Sequence, residues 1–283
     1  MNERQTQPVG IFDSGVGGLS VLREIHQLLP SLPLLYIADQ AHIPYGEKPL
    51  EEIQKYAFEI TRLLLARGAR LVVVACNTAS AAALNLLREA HPGVPFVGME
   101  PAVKPASLQT HSRIVGVLAT PATFQGKMYS TLVERFAKNV KILTSTLPGL
   151  VEAVEQGQLS APATRIILER AILPMLDDGA DTLVLGCTHF PFVLPLIRQI
   201  AGPEVSVIDP APAIARRAAF LLEECGLLPT RTAAARMQFA TSGDTARFNK
   251  MLDMLLGMHA EVLPLKWGAD TQQLTEMRQS VWL

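Results

Sequence analysis

Residues 68–78 read GARLVVVACNT, and residues 179–189 read GADTLVLGCTH. Each segment contains a short apolar run that predicts a buried β-strand, and each run stops at a cysteine followed by polar side chains. In both segments the cysteine lies eight residues after the first glycine (76 − 68 and 187 − 179). This match indicates that one structural unit occurs twice in the chain.

Further matches extend this repeat in both directions. VGIFDSG at 9–15 corresponds to VGVLATP at 115–121, and the pair Glu100–Pro101 corresponds to Asp209–Pro210. Corresponding positions are 106 residues apart at the start (115 − 9) and 111 residues apart at the cysteines (187 − 76). Four matches in the same order, with a nearly constant offset, predict two halves related by an approximate two-fold axis.

Strand-like and helix-like patterns alternate along the chain. Short, wholly apolar strands separated by helices are typical of parallel sheets covered on both faces. We therefore predict an α/β fold: two pseudo-symmetric lobes with parallel sheets flanked by helices, and an active site in the interlobe cleft. Residues 1–98 and 209–283 would form the first lobe and residues 99–208 an inserted second lobe, with the last helices packed on the first. The predicted strands lie at 9–12, 34–38, 71–75, 95–99, 113–119, 140–143, 182–186 and 205–208.

The composition argues against several classes of protein. The chain has 283 residues, of which 49% are hydrophobic and 18% charged, so it is compact and globular. A formal net charge of −1 gives no support for nucleic-acid or membrane binding. The polar start MNERQTQP lacks the apolar core of a signal peptide, and the three widely spaced cysteines do not resemble a disulfide framework. We expect a cytoplasmic protein with reduced thiols.

Two strand-end cysteines suit proton transfer at a stereocentre. Ligands of parallel sheets bind beyond the carboxyl ends of the strands, where Cys76 and Cys187 both fall. Free N–H groups at the start of the following helix favour a thiolate. One thiolate can remove a proton from one face of a carbon while the other thiol returns a proton to the opposite face. That chemistry needs no cofactor, and no strand-end motif offers the lysine that a pyridoxal cofactor requires.

Five motifs in this order resemble those of the glutamate racemase family, within the aspartate/glutamate racemase superfamily. They are FDSGVGG at 12–18, PYG at 44–46, ACNTAS at 75–80, ATPAT at 119–123 and GCTHFP at 186–191. The resemblance runs from Val9 to about Ala215, and TSGD at 241–244 is a further family-like segment. It implies cofactor-independent interconversion of L- and D-glutamate, which supplies D-glutamate for peptidoglycan, and a homodimer as the usual state.

The resemblance also implies roles for individual residues. Cys76 would act on the α-hydrogen of D-glutamate and Cys187 on that of L-glutamate, with Asp13 and His189 assisting the thiols. Glu152, in the segment LVE, would be a further catalytic residue. Contacts to glutamate would come from Asp13, Ser14, Tyr45, Gly46, Asn77, Thr78, Thr120, Thr123, Thr188 and His189.

Other chemistries would use parts of the same set. Cys187 with His189 suits a cysteine-nucleophile hydrolase or transferase, in which Cys76 would be dispensable. A non-catalytic amino-acid-binding module would need neither thiol for affinity, and an aspartate or related racemase would differ only in its substrate. Zinc accepts thiolate, imidazole and carboxylate ligands, but the close-spaced cysteine pairs of structural zinc sites are missing, so we expect no metal.

Three remaining features have plainer interpretations. DSGVGG departs from the dinucleotide-binding pattern G-x-G-x-x-G, because Ser20 stands in the place of the third glycine. Asp39 is predicted to cap the end of the second strand. Cys225, in EECGLLP, lacks polar neighbours of the kind found beside the other two cysteines, and we assign it a structural role.

Overall fold

The structure, a computed structural model, describes residues 7–228, 236–269 and 272–276. The other parts of the predicted first lobe, at 1–6, 229–235, 270–271 and 277–283, lie outside the described residues. The strands are β1 (Val9–Asp13), β2 (Leu34–Ala38), β3 (Leu71–Val74), β4 (Phe96–Gly98), β5 (Ile114–Ala119), β6 (Lys141–Ser145), β7 (Thr182–Gly186), β8 (Ser206–Ile208), β9 (Met237–Thr241), β10 (Val262–Trp267) and β11 (Leu274–Glu276). The helices are α1 (Leu19–Leu28), α2 (Leu50–Ala66), α3 (Asn77–Ala90), α4 (Val103–Gln109), α5 (Pro121–Gln125), α6 (Lys127–Phe136), α7 (Leu150–Glu155), α8 (Pro162–Asp177), α9 (Leu194–Ala201), α10 (Ala211–Glu224) and α11 (Thr245–Leu256).

The strands form two sheets with a repeated topology. One sheet has the order β11-β10-β9-β2-β1-β3-β4, and the other has the order β6-β5-β7-β8. The parallel segment β2-β1-β3-β4 of the first sheet therefore matches the whole second sheet, strand for strand. The prediction of two pseudo-symmetric lobes with parallel sheets is confirmed, and all eight predicted strands are present. The residue boundaries proposed for the lobes stay a prediction.

The described residues of the C-terminal part of the chain contain three strands that sequence analysis missed. It predicted only helices there, and α10 does pack against α1. Strand β9 pairs in parallel with β2, β10 pairs in parallel with β9, and β11 is antiparallel to β10. These strands are only partly buried, and β10 carries Pro264, so they lack the continuous apolar run of the central strands. Because β9 pairs in parallel with β2, the two strands end side by side, and the residues that follow β9 lie next to those that follow β2.

The strand ends are built to present polar groups to the space between the sheets. β1, β2, β3 and β7 are buried along their whole length, which fixes their register and the position of the residue that follows each of them. Cys76 is the N-cap of α3, and Thr120 is the N-cap of α5, where its hydroxyl accepts a hydrogen bond from the Thr123 backbone. Within the described part of the chain, no helix combines the length and apolar character needed to cross a membrane.

Candidate active site

Residues from both lobes line one cleft, which holds about 630 Å³ of free space including its open mouth. Cys76 and Cys187 both line it, and both side chains are buried. Asp13 and Thr123 lie behind the lining: Asp13 contacts Thr188, and Thr123 contacts Thr78 and Thr120. The other sequence-predicted residues that line the cleft are Ser14, Tyr45, Gly46, Asn77, Thr78, Thr120, Glu152, Thr188 and His189.

On the first-lobe side, the environment of Cys76 favours a neutral thiol. Its sulfur accepts a hydrogen bond from the Ala79 backbone at 3.5 Å, and its Sγ lies 4.0 Å from the Ser14 hydroxyl. Burial raises the pKa of the Cys76 thiol well above its ordinary value, and the negative charge of Asp13 raises it further. The backbone N–H of Ala79 acts in the opposite direction but does not outweigh these effects.

On the second-lobe side, Cys187 stands beside a histidine. Its Sγ lies 3.8 Å from Nδ1 of His189, whose Nε2 lies 2.8 Å from Oε1 of Glu155. Burial alone lowers the pKa of His189, but the hydrogen bonds to Cys187 and Glu155, together with nearby negative charge, raise it well above the ordinary value. The arrangement therefore favours an imidazolium next to the Cys187 sulfur, the pairing found in thiols that a histidine activates.

Glu155 is the acidic partner of His189, and sequence analysis missed it. It lies three residues after Glu152 on α7; Glu152 lines the cleft, whereas Glu155 is buried behind it. Besides His189, its carboxylate accepts hydrogen bonds from the Val16 backbone at 2.6 Å and from Gln40 Nε2 at 2.7 Å. Burial raises the pKa of Glu155, but these partners outweigh it and leave the pKa below the ordinary value. The predicted catalytic role of Glu152 stays a prediction.

Asp13 lies at the end of β1 between the two cysteine environments. It is fully buried, and its Oδ2 accepts a hydrogen bond from the Gly15 backbone at 3.0 Å. Its Oδ1 accepts from the Thr188 hydroxyl, which belongs to the other lobe, at 3.3 Å. Burial raises the pKa of Asp13, although His189 and the N–H groups of Gly15 and Gly18 act against it. A carboxyl group with a raised pKa next to a buried thiol is suited to exchange a proton with it.

Several polar groups in the cleft are placed to bind a ligand. Asn77 is only 2% exposed, yet neither atom of its side-chain amide has a hydrogen-bond partner among the described residues. Such orphaned atoms in a cleft wall are a mark of a ligand contact, because leaving them unpaired costs free energy. The hydroxyls of Thr78, Thr120 and Thr123 form a triangle that joins the lobes, with Thr120 at 2.9 Å from each of the other two.

The hydroxyl of Tyr45 is held by another side chain. It donates to Oδ2 of Asp39 at 2.6 Å, so its phenol is already engaged. Asp39 is fully buried and also accepts hydrogen bonds from Ser242 at 2.6 Å and from the Trp267 indole at 2.7 Å, with His42 Nδ1 at 2.8 Å. Asp39 thus joins the loop after β2 to β10 and to the segment after β9, a larger role than the predicted strand-end cap.

The glycines after β1 allow this loop to approach the other lobe. A Cβ atom at Gly15 would collide with the Glu155 carboxylate, and one at Gly17 would collide with the His189 ring. The glycine spacing therefore serves contact with the Cys187 side of the cleft.

Cys225 is exposed and does not fill a core position. Among the described residues, no group of three or more His, Cys, Asp or Glu side chains is arranged to hold a metal ion.

Duplicated parallel lobes that share one polar, thiol-lined cleft define the class of two-lobed α/β isomerases. Residues 9–218 match the family model described as Asp/Glu/Hydantoin racemase. The match covers well over half of the chain, and the protein belongs to this racemase family.

Individual relatives agree with this assignment. The chain is 52% identical over 262 residues to the glutamate racemase of Ectopseudomonas mendocina strain ymp, covering 93% of this chain and 99% of the relative. It is similar to the crystal structure of Escherichia coli glutamate racemase in complex with L-glutamate and the activator UDP-MurNAc-Ala, with a TM-score of 0.79, 36% identity, and coverage of 90% and 97%. It is also similar to Francisella tularensis glutamate racemase in complex with D-glutamate, with a TM-score of 0.80, 29% identity, and coverage of 91% and 96%.

Proposed function

We propose that the protein interconverts L- and D-glutamate by proton transfer between Cys76 and Cys187. The observation that carries this proposal is that two buried thiols, at equivalent positions of the two repeats, line a single cleft. The choice of glutamate rests on the relative with 52% identity, named glutamate racemase, and on the two neighbours whose structures contain L- and D-glutamate.

In the L-to-D direction, the Cys187 thiolate removes the α-proton and the Cys76 thiol donates a proton to the opposite face. The imidazolium of His189, held by Glu155, stabilises that thiolate. The raised pKa of Cys76 keeps its proton available for transfer to carbon. After one turnover Cys187 is a thiol and Cys76 a thiolate, which is the state that reacts with D-glutamate. Asp13, whose pKa is raised by burial, is placed to accept or return the Cys76 proton.

The α-hydrogen of an amino acid is a weak acid, so the cleft must stabilise a carbanion-like state. The charge that develops would be delocalised onto the α-carboxylate. We assign hydrogen bonds to that group to the unpaired Asn77 amide and to the hydroxyls of Thr78 and Thr188. One preorganised donor of this kind contributes about 10²–10³ in rate. Ser14, Thr120 and the backbone of the loop at Tyr45 and Gly46 remain for the other polar groups of the substrate.

The wider role follows from the same resemblance. We infer that the D-glutamate formed is used in peptidoglycan synthesis, that the protein acts in the cytoplasm, and that it is a homodimer. Its substrate is a small amino acid, and no cofactor, metal, nucleic acid or membrane takes part in the proposed reaction.

The proposal is tested by incubating each enantiomer of glutamate with the protein in D₂O. Racemisation with incorporation of deuterium at Cα is expected, and Cys76→Ser or Cys187→Ser should each abolish most of it. Cys225→Ser is the matched control, because that thiol is exposed and should leave the rate unchanged.

The competing functions give different results in the same assay. Full racemase activity in either Cys76→Ser or Cys187→Ser contradicts the two-base mechanism. Faster turnover of aspartate than of glutamate supports the aspartate racemase alternative. Hydrolysis that needs Cys187 and His189 but not Cys76 supports the cysteine-nucleophile alternative.

A further inference from the structure

Gln40 connects the two lobes directly behind the catalytic pair of the Cys187 side. It lies in the short 3-10 helix Gln40–His42 after β2, and its Nε2 donates to Oε2 of Glu155 at 2.7 Å. The other oxygen of that carboxylate, Oε1, is taken by Val16 N–H and His189. Gln40 therefore donates a hydrogen bond to the oxygen of Glu155 that does not contact the histidine.

The orientation of the Gln40 amide is fixed by a chain of hydrogen bonds. The Gly243 backbone donates to the Thr241 hydroxyl oxygen at 3.0 Å, and that hydroxyl donates to Oε1 of Gln40 at 2.9 Å. Because Oε1 of Gln40 accepts, its Nε2 is left to donate, and Glu155 receives that bond. Thr241 and Gly243 belong to the TSGD segment, which sequence analysis identified as family-like without assigning it a role.

We propose that Gln40 is a positioning residue for the Cys187 half of the site. It holds the Glu155 carboxylate against His189 and thereby keeps the imidazole ring in place beside Cys187. This inference rests on the proposed two-base racemisation. It assigns to Gln40 no contact with glutamate, since its side-chain partners are Glu155 and Thr241.

The physical reason is the cost of a half-satisfied buried carboxylate. Without Gln40, Oε2 of Glu155 would face a largely dry environment without a donor, which raises the affinity of Glu155 for a proton and weakens its hold on the imidazolium. A weaker imidazolium gives less stabilisation to the negative charge that Cys187 carries in the proposed proton transfer. The steps at Cys187 should slow by about tenfold, the typical effect of one hydrogen bond to a charged group. The steps at Cys76, which Gln40 does not contact, should be unaffected.

Two variants separate positioning from packing. Gln40→Leu keeps the volume but removes the donor, so it should lose activity at every pH. In Gln40→Glu the new carboxyl group can donate to Glu155 only while it is protonated. Its activity relative to the parent should therefore be close to one in mildly acidic buffer and should fall as the pH rises. The other ionisable groups facing Glu155 are His189, Asp13, Tyr36, Arg247 at its backbone carbonyl, and Lys250, which lines the same pocket as Glu155; all are unchanged in both variants.

Kinetic isotope effects show which half-site is slowed. L- and D-glutamate have equal free energies, so kcat/KM must be the same in both directions for every variant. Deuterium at Cα, however, gives a large isotope effect only when its removal by the thiolate is the rate-limiting step. Gln40→Leu should raise the isotope effect for L-glutamate, from which Cys187 removes the α-proton, and lower it for D-glutamate. The isotope effects on the residual activity of Cys187→Ser should change in the same directions.

Gln54→Leu is the matched control. Gln54 is also half-buried and donates through Nε2, but to the Ala82 carbonyl, and it should retain parental rates and isotope effects. The inference is overturned if Gln40→Leu racemises within about twofold of the parent. It is also overturned if both isotope effects change equally, or if the two Gln40 variants lose activity in parallel at all pH values. Failure of the parent protein to racemise glutamate would instead contradict the proposed function.

Discussion

Replacing Glu155 by glutamine tests the electrostatic basis of the Cys187 half of the site. The carboxylate accepts from His189 at 2.8 Å, from Val16 N–H at 2.6 Å and from Gln40 at 2.7 Å. The amide of Glu155→Gln keeps one oxygen for the first two donors but turns an N–H toward Gln40. The volume is preserved, so the change removes charge and one acceptor with little effect on packing.

The expected loss can be worked out from these three bonds. A hydrogen bond to a charged group contributes about 1.5–3 kcal/mol, roughly twice that of a neutral one. Halving two such bonds and losing the third removes at least about 3 kcal/mol, which is at least about a hundredfold in rate if the pair acts in the transition state. This estimate agrees with the lower end of the roughly 3–5 kcal/mol lost when a buried ion pair is broken.

The same substitution should change the pH dependence of stability. Glu155 has a lowered pKa, so its contribution is present above its unfolded value of 4.5 and is lost as the pH falls through the folded value. His189 has a raised pKa, so its contribution is present below 6.5 and is lost as the pH rises through the folded value. The difference in unfolding free energy between parent and Glu155→Gln should therefore be largest between pH 4.5 and 6.5.

Circular dichroism measures racemisation directly, and urea unfolding at several pH values measures stability. Glu152→Gln is the informative comparison, because Glu152 lies on the same helix and lines the cleft without sharing the contact to His189 that Glu155 makes. A kcat/KM of Glu155→Gln within about threefold of the parent would refute this reasoning. So would a larger loss in Glu152→Gln than in Glu155→Gln.

Three further substitutions test other contacts. Gly17→Ala forces a Cβ against His189 and should lower kcat by at least about tenfold while the fold is kept, so a fully active variant contradicts that contact. Asp39→Asn replaces one of the two oxygens that accept from Tyr45, Ser242 and Trp267 with an N–H group and should lower the unfolding free energy by about 1–3 kcal/mol; an unchanged urea midpoint argues against the network. Thr120→Val removes a helix cap and the hydroxyl bridge between the lobes. It should raise the KM for glutamate about tenfold. An unchanged KM would show that the bridge does not contribute to glutamate binding.

The central strands could be predicted because burial on both faces makes their sequences continuously apolar. β3 and β7 are buried at every position, and the polar residues begin where each strand ends. β10 is exposed along part of its length and interrupted by Pro264, so no local pattern distinguishes it from a loop. Its place in the sheet is set by pairing with β9, which is tertiary information.

The same distinction applies to the site. The positions of Cys76 and Cys187 could be predicted, because each cysteine follows a buried strand and the two match in the repeat. Both line the cleft, as their local sequence indicates. The partners of Glu155 come from distant parts of the chain: His189 is 34 residues away and Gln40 is 115 residues away. Nothing in the segment LVEAVEQG tells which of its acids turns toward the other lobe. That selection is made by the way α7 packs against the glycine loop after β1.

The repeat supplies two equivalent thiols, but their surroundings have diverged. Thr78 occupies the position that corresponds to His189, and Ala119 the position that corresponds to Asp13, so each half has one ionisable neighbour that the other lacks. Such asymmetry is compatible with racemisation. The two enantiomers have equal free energy, so a single reaction path that runs in both directions is sufficient, and the two halves of the site need not be identical. Cys187 has a cationic neighbour in the His189 imidazolium, whereas burial and then the negative charge of Asp13 raise the pKa of Cys76. The two thiols therefore lie in opposite electrostatic environments, which suits a proton transfer between two bases.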